Sequence, residues 1–331
     1  RTKMIRIKST IKPPLVERFG VPVPEGMELE FVNFPCSDDE LIESVKDADI
    51  LWVSPVDVIS KKVIDSIPNL KLIQSLGVAF DKIDLDAAKE RGVYVCNNKA
   101  VNAASVAEHS VGLMLSALKR LPYGDSRIKK GEFGEAMDDS RKVGHFELGT
   151  RTVGLIGLGA IGKCAAKYLH AFGSNLYYYD VIQADSEFEK QYGLKFATLD
   201  ELYKNCDILA YYVPVLDSTR GMVNKNTIAK MKKDVIIINV SRGEIVNNED
   251  LRDALNDGKV VAGLDVIAPE PPAADHPLIT LNEIGNSRLS VTPHIAGTTN
   301  DAFTRMSQWS YDNMVKVVAG ETPNNVVNGL K

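Results

Sequence analysis

Two α/β domains, each built on a parallel sheet, are the fold class this sequence predicts. Three observations lead there. Short buried-strand runs alternate with amphipathic helical stretches along most of the chain, the pattern of βαβ units whose helices cover both faces of a parallel sheet. The length, 331 residues, is about twice that of a single domain. One strand-turn-helix-strand unit, residues 152–180, also carries glycines in the spacing G-x-G-x-x-G.

In the first hundred residues, strands are expected at 4–7, 29–34, 49–53, 70–76 and 93–96. Helices are expected at 38–46, opened by the acceptor Ser37, and at 60–67 and 85–91. This alternation forms an α/β domain without a glycine fingerprint. Residues 1–3 are set aside as a leader or remnant. A long apolar helix then spans 104–118, too hydrophobic around its circumference for a surface position, and is placed at a domain junction. The stretch 123–150 is polar and reads as an irregular loop, with Asp138 and Asp139 as solvated acids rather than a catalytic pair.

Residues 153–156 form a buried β-branched run and lead into Gly157, Gly159 and Gly162. The first glycine permits a sharp turn, the second lets the backbone approach a pyrophosphate, and the third brings the helix close to the sheet. The helix that follows points its free N–H groups and positive dipole end at the phosphates. Asp180 ends the next strand, where a carboxylate accepts from both ribose hydroxyls and repels a 2′-phosphate. NAD is the cofactor expected.

Beyond the fingerprint, strands at 207–215, 235–240, 260–265 and 289–291 alternate with helices at 199–205, 226–231 and 249–257. With 153–156 and 176–179 they make six, enough for a doubly wound Rossmann-type sheet. Ligands bind beyond the carboxyl ends of such strands. There stand Ser241, Arg242 and Gly243; Asp265 and a Pro-rich loop with Glu270; and His294. Arg242 can hold a carboxylate in bidentate fashion and polarise the oxygen on the neighbouring carbon. His294 can carry the proton, and a nearby Glu270 favours its charged form. The other histidines, His109, His145, His170 and His276, read as structural.

Hydrophobic residues make up 44%, charged residues 25%, and the net charge is −5 with both signs interspersed. No basic stripe points to nucleic acid, and neither a membrane span nor a signal segment is visible. Cys36, Cys96, Cys164 and Cys206 lie far apart without metal-ligand spacing, so reduced thiols, no metal and a cytoplasmic location are expected.

These motifs together resemble the D-isomer-specific 2-hydroxyacid dehydrogenase family. The resemblance is carried by GLGAIG with Asp180, VPVLDSTRGMVN from Val213, INVSRGEIV from Ile238, GLDV with Glu270, TPHIAGTT from Thr292, SLGVAFDKIDL from Ser75 and NAASVAEH from Asn102. It implies an NAD-dependent interconversion of a 2-oxo acid and its D-2-hydroxy acid, with Arg242 as substrate anchor, Glu270 as partner of His294, and His294 as acid/base. Leu76, Gly77 and Val78, with Asn102, would hold the substrate carboxylate. Ala160, Ile161, Pro214, Val240, Ser241 and Gly297 would line the cofactor beside Arg242 and His294, and Asp265 would meet the nicotinamide amide. The implied architecture is a flavodoxin-like substrate domain, 1–102 and 295–331, completed by the C-terminal helix, and a dinucleotide-binding domain, 103–294, with the active site in a cleft between them. Homodimers are common in the family.

Some positions depart from family patterns. Phosphoglycerate dehydrogenases usually place a basic residue where this chain reads Trp52-Val53-Ser54-Pro55, Ala79 replaces a usual glycine, and Gly297 stands where other subgroups carry Trp or Tyr. Three other activities stay open: 3-phosphoglycerate dehydrogenation, an NAD(H)-sensing corepressor-like role, and formate oxidation. Glu270 argues against the last, since formate-oxidising relatives carry Gln.

Overall fold

The computed structural model describes residues 4–331, so residues 1–3 lie outside the described part. The chain divides into two compact units: residues up to Asn102 together with Thr298–Lys331, and Ala103–Gly297.

The first unit holds five parallel strands: β1 (Ile5–Ser9), β2 (Met27–Phe31), β3 (Ile50–Val53), β4 (Leu72–Ser75) and β5 (Tyr94–Cys96). Their order, β2-β1-β3-β4-β5, is the flavodoxin-like one. Every residue of β3 and β4 is buried, because helices cover both faces. Helix Asp38–Val45 starts at a capping box made by Ser37 and Glu40, and its Leu41 and Val45 join Leu51, Val53 and Ile73 in one core. The helix Asn300–Val318 supplies Met306, Tyr311 and Met314 to the other core, with Trp52. Buried Asn313 donates to Gln74 Oε1 at 2.9 Å, which ties that helix to β4. Strand β1 runs on to Ser9 despite the cation at Lys8, whose Nζ is drawn to Glu30 at 2.5 Å and Asp47 at 3.4 Å.

The second unit holds seven strands: β6 (Thr152–Ile156), β7 (Asn175–Tyr179), β8 (Leu194–Phe196), β9 (Ile208–Tyr211), β10 (Val235–Asn239), β11 (Val260–Leu264) and β12 (Leu289–Val291). The order is β12-β11-β10-β9-β6-β7-β8, and the winding reverses between β6 and β9. One strand more is present than the alternation suggests. Strand β8 is three residues long at the sheet edge with Lys195 at its centre, too short and too polar to show a period. In register, Asn239 faces Leu264 and Leu264 faces Val291, so three strands end level with one another. The loops carrying Arg242, Glu270 and His294 therefore leave the sheet side by side.

The long apolar helix is Ala103–Lys119, and it packs with Ala160–Phe172 over Val153, Leu155 and Ile238. The stretch read as irregular instead folds into helices Leu121–Lys129 and Phe133–Val143. The first buries none of its residues. Polar ties sustain the pair: Lys129 with Asp125 at 2.8 Å, Arg127 with Glu132, and the Tyr123 hydroxyl donating to Asp139 at 2.6 Å. Ala136 is the one buried residue of the pair, and the side chains partly buried beside it, such as Arg127, Asp139 and Ser140, are polar while most apolar ones are exposed, so neither helix writes an apolar period into the sequence.

Candidate active site

Where the sheet winding reverses, the three fingerprint glycines do three different jobs. Gly157 has φ +95°, and a Cβ there would lie 2.8 Å from the Tyr212 carbonyl oxygen. A Cβ on Gly162 would lie 2.3 Å from the Gly157 oxygen, so helix and turn touch backbone to backbone. Around Gly159 the space is open. Gly159 is also the N-cap of helix Ala160–Phe172 and offers no side-chain cap. Elsewhere Ser37 and Thr198 close their helices with capping boxes; here the first-turn amides stay available to an anion. Ala160 is exposed and Ile161 partly buried beside them. Asp180, just beyond β7, accepts from Leu158 N at 2.6 Å and so braces the glycine turn. These residues fit a dinucleotide: an open amide cradle with a carboxylate beside it.

At the carboxyl ends of β10 to β12 the catalytic candidates gather. His294 Nδ1 lies 2.6 Å from Glu270 Oε2, and both side chains are about half exposed, 47% and 40%. His294 takes a left-handed backbone with φ +54°, a conformation uncommon outside glycine and typical of functional turns. Its N–H donates to the Asp265 carbonyl at 2.8 Å. The Asp265 carboxylate is 1% exposed. Its Oδ1 accepts from Thr292 Oγ1 at 2.6 Å and Ile295 N at 2.9 Å, and its Oδ2 accepts from Ala296 N at 2.9 Å. The turn bearing His294 is thus wound around a buried acid.

Two residues of this support, His109 and Thr292, had no role assigned to them from the sequence. His109, read as a structural residue of the long helix, places Nε2 2.8 Å from Thr292 Oγ1 and 3.5 Å from Asp265 Oδ1. The Thr292 hydroxyl has one proton and gives it to Asp265, so it accepts from His109 Nε2–H. The one sequence signal was an unusual histidine in an otherwise apolar helix.

Arg242 is exposed, and its Nη1 donates to Ser241 O at 2.7 Å rather than to Glu270 or His294. The turn is built by Asn239, whose Nδ2 donates to Arg242 O at 2.8 Å while its Oδ1 accepts from Ser241 Oγ at 2.8 Å. Gly243 is required beside it: a Cβ would lie 2.3 Å from Ala268 N. Arg242 and the Glu270 loop are therefore packed together through backbone.

A family model for the NAD binding domain of the D-isomer specific 2-hydroxyacid dehydrogenases matches residues 111–296. The chain belongs to that family. This dehydrogenase is 35% identical to a glyoxylate reductase of Thermofilum pendens over 90% of its own length and 87% of that protein's. It is 36% identical to a D-3-phosphoglycerate dehydrogenase of Methanocaldococcus jannaschii over 97% of this chain, which spans 59% of that longer protein. A D-lactate dehydrogenase of Aquifex aeolicus, solved with NAD and lactic acid, superposes with a TM-score of 0.78 at 28% identity, covering 98% of this chain and all of that one. The dehydrogenase is an NAD-dependent oxidoreductase.

The remaining expected residues of this dehydrogenase fall as follows. Val240 is buried under the Ser241 turn, and Pro214 is exposed beyond β9 with its carbonyl accepting from Thr219 Oγ1 at 2.6 Å. Gly297 is half-buried after the His294 turn. In the first unit, all three carbonyls of the 76–78 loop are tied down. Asn98 Nδ2 donates to Leu76 O at 2.6 Å, Asn98 N to Gly77 O at 2.9 Å, and Asn97 Nδ2 to Val78 O at 2.5 Å. Among the described residues no hydrogen bond uses the N–H of Gly77 or Val78. Asn102 is half-buried at the end of this unit.

Proposed function

We propose that this dehydrogenase reduces a small, unphosphorylated 2-oxo acid of the glyoxylate or hydroxypyruvate kind to its D-2-hydroxy acid, with His294 as acid/base, Glu270 as its partner and Arg242 as the carboxylate anchor. The 2.6 Å contact between His294 Nδ1 and Glu270 carries the reading. With Nδ1 held by a carboxylate, Nε2 is left to exchange a proton with substrate. NAD(H), when bound, supplies or takes up the hydride. Arg242, once its exposed guanidinium swings from Ser241 O, binds the substrate carboxylate through paired N–H donors. In reduction His294 gives its Nε2 proton to the ketone oxygen; in oxidation the neutral ring takes it back. Glu270 accepts from Nδ1–H throughout and holds one tautomer. Asp180 selects NAD over NADP, Asp265 reaches the cofactor through the turn it organises, and Ala160, Ile161, Pro214, Val240, Ser241 and Gly297 line the cofactor. The free amides of Gly77 and Val78, with Leu76 and Asn102, assist carboxylate binding.

The choice of substrate rests on the names of the relatives and on the loop after β3. That loop reads Ser54-Pro55-Val56-Asp57-Val58, without a cation for a phosphate; Val56 and Val58 are exposed, and Asp57 is buried. Homodimerisation through helices Leu121–Lys129 and Phe133–Val143 is part of the proposal. Leu121 and Ile128 lie on one face of the first helix, and Phe133, Met137 and Val143 add exposed apolar surface from the second. Four free cysteines support a reducing, cytoplasmic setting, and no helix of the described residues is long and apolar enough to cross a membrane.

Following NADH absorbance with glyoxylate, hydroxypyruvate, pyruvate and phosphonooxypyruvate, and NAD reduction with formate, tests this reading. A preference for phosphonooxypyruvate would overturn the substrate class. Tight NADH binding without turnover of any 2-oxo acid would favour a regulatory role.

A further inference from the structure

We propose that His276 is a positioning residue for the acid/base pair, holding the loop that carries Glu270 through one carbonyl group, that of Ala268. The inference rests on the pairing of Glu270 with His294 proposed above.

His276 is 5% exposed and belongs to none of the groups assigned a role in the reaction. Leu278 N–H donates to its Nδ1 at 3.2 Å. A backbone amide can only donate, so Nδ1 carries the lone pair and the ring proton sits on Nε2. Nε2 lies 3.0 Å from Ala268 O, which accepts that proton. The same oxygen accepts from Asn248 Nδ2 at 2.7 Å. The 3.1 Å approach of Asn248 Nδ2 to His276 Nε2 is then two donors converging on one acceptor. Both lone pairs of the Ala268 carbonyl are used.

The preceding peptide, Ile267–Ala268, is pressed against Gly243, whose missing Cβ would lie 2.3 Å from Ala268 N. Ala268 is thereby clamped between the Arg242 turn, which meets the peptide before it, and the two donors, which hold the peptide after it. The chain then runs to Glu270, which folds back so that Oε1 accepts from Ile267 N at 3.3 Å and Oε2 meets His294. Pro269, Pro271 and Pro272 flank the acid and have no N–H of their own. Such a loop offers few donors to fix itself, so its anchorage has to come through its carbonyls. His276 supplies that anchor from a ring whose tautomer is set by the backbone.

The test uses the different reach of two amides. In His276→Gln the side-chain NH2 occupies the region of Nε2 and can still donate to Ala268 O. In His276→Asn only an acceptor near Nδ1 survives. With full-length enzyme, NADH and the best 2-oxo acid of the substrate panel, His276→Asn is expected to lower kcat by about 10- to 100-fold, the cost of ångström-scale misplacement. The KM for NADH and the thermal midpoint should match those of His276→Gln, and His276→Gln should keep a kcat close to that of the unsubstituted enzyme. Equal kcat for the two variants would reduce His276 to a packing residue and overturn the proposal. Should His276→Asn not fold, Asn248→Ala, which removes the second donor to the same oxygen, is expected to lower kcat at unchanged KM for NADH; an unchanged kcat overturns the proposal. His294→Asn, run in parallel, separates the two levels. If it retains turnover the acid/base pairing itself fails, whereas its inactivity alongside equal His276 variants sinks only the role of His276.

Discussion

Glu270 Oε2 lies 2.6 Å from His294 Nδ1, although the two side chains leave the sheet from different strands. Glu270→Gln keeps the shape and removes the charge. The loss of one charge-assisted hydrogen bond is expected to lower kcat by about 10- to 100-fold. His294→Ala should cost about 10²- to 10⁴-fold, the usual share of a general acid/base. Steady-state kinetics with NADH and a 2-oxo acid measure both, and a Glu270→Gln enzyme with full kcat would remove the pair from the mechanism.

Gly159 and Gly162 separate binding from folding. The space around Gly159 is open, whereas a Cβ on Gly162 would meet the Gly157 oxygen at 2.3 Å. Gly159→Ala should therefore unfold at an unchanged temperature but bind NADH more weakly, and Gly162→Ala should lower the thermal midpoint. Calorimetry and NADH fluorescence titration distinguish them. Equal behaviour of the two would contradict the backbone cradle.

Asp180, proposed to read the ribose, braces Leu158 N at 2.6 Å. Asp180→Ala is expected to reduce the preference for NAD over NADP by about tenfold or more, the worth of a charged hydrogen bond. An unchanged ratio of kcat/KM for the two cofactors would show that another group reads the ribose.

Asp57 is 7% exposed, and burial pushes its carboxyl above its ordinary value of 3.8 even though Thr10 Oγ1 and Ser54 N donate to it. A raised folded-state value means the folded chain holds the proton more tightly than the unfolded one. The stabilisation this brings is complete below 3.8 and is lost as pH rises through the raised value. Asp57→Asn keeps the acceptor oxygen and abolishes the buried charge, so it should raise the melting temperature by a few degrees at pH 7 and lose that advantage in acid. A lower melting temperature at neutral pH would show that the hydrogen bonds need the full charge.

Phe133 is 63% exposed and Ile128 53% exposed on the paired helices of the second unit. Charge placed there should split a dimer. Ile128→Glu with Phe133→Glu is expected to run as a monomer in sedimentation velocity at unchanged thermal stability of the single chain. A dimer that survives both changes uses another face.

The strand, turn and helix of the nucleotide-binding unit were legible in the sequence. A buried strand, three glycines, a helix and an acid are contiguous in the chain, and each states its own steric or electrostatic requirement locally. Alternating apolar runs likewise announced two parallel sheets, because strands covered on both faces have to be apolar throughout. Strand β8 and the helices between Leu121 and Val143 were not legible: the former is too short for a period, and the latter turn their apolar residues away from the core of their own unit.

From the chain alone came the fold class, the cofactor chemistry and the list of residues standing at strand ends. Tertiary structure decided which of those residues meet. The level ends of β10, β11 and β12 bring Glu270 to His294, bury Asp265 under the turn, and recruit His109 and His276 from segments that read as structural. Hydrogen bonds of that kind depend on strand register and on the directions of side chains far apart in sequence, and no local period or spacing encodes either.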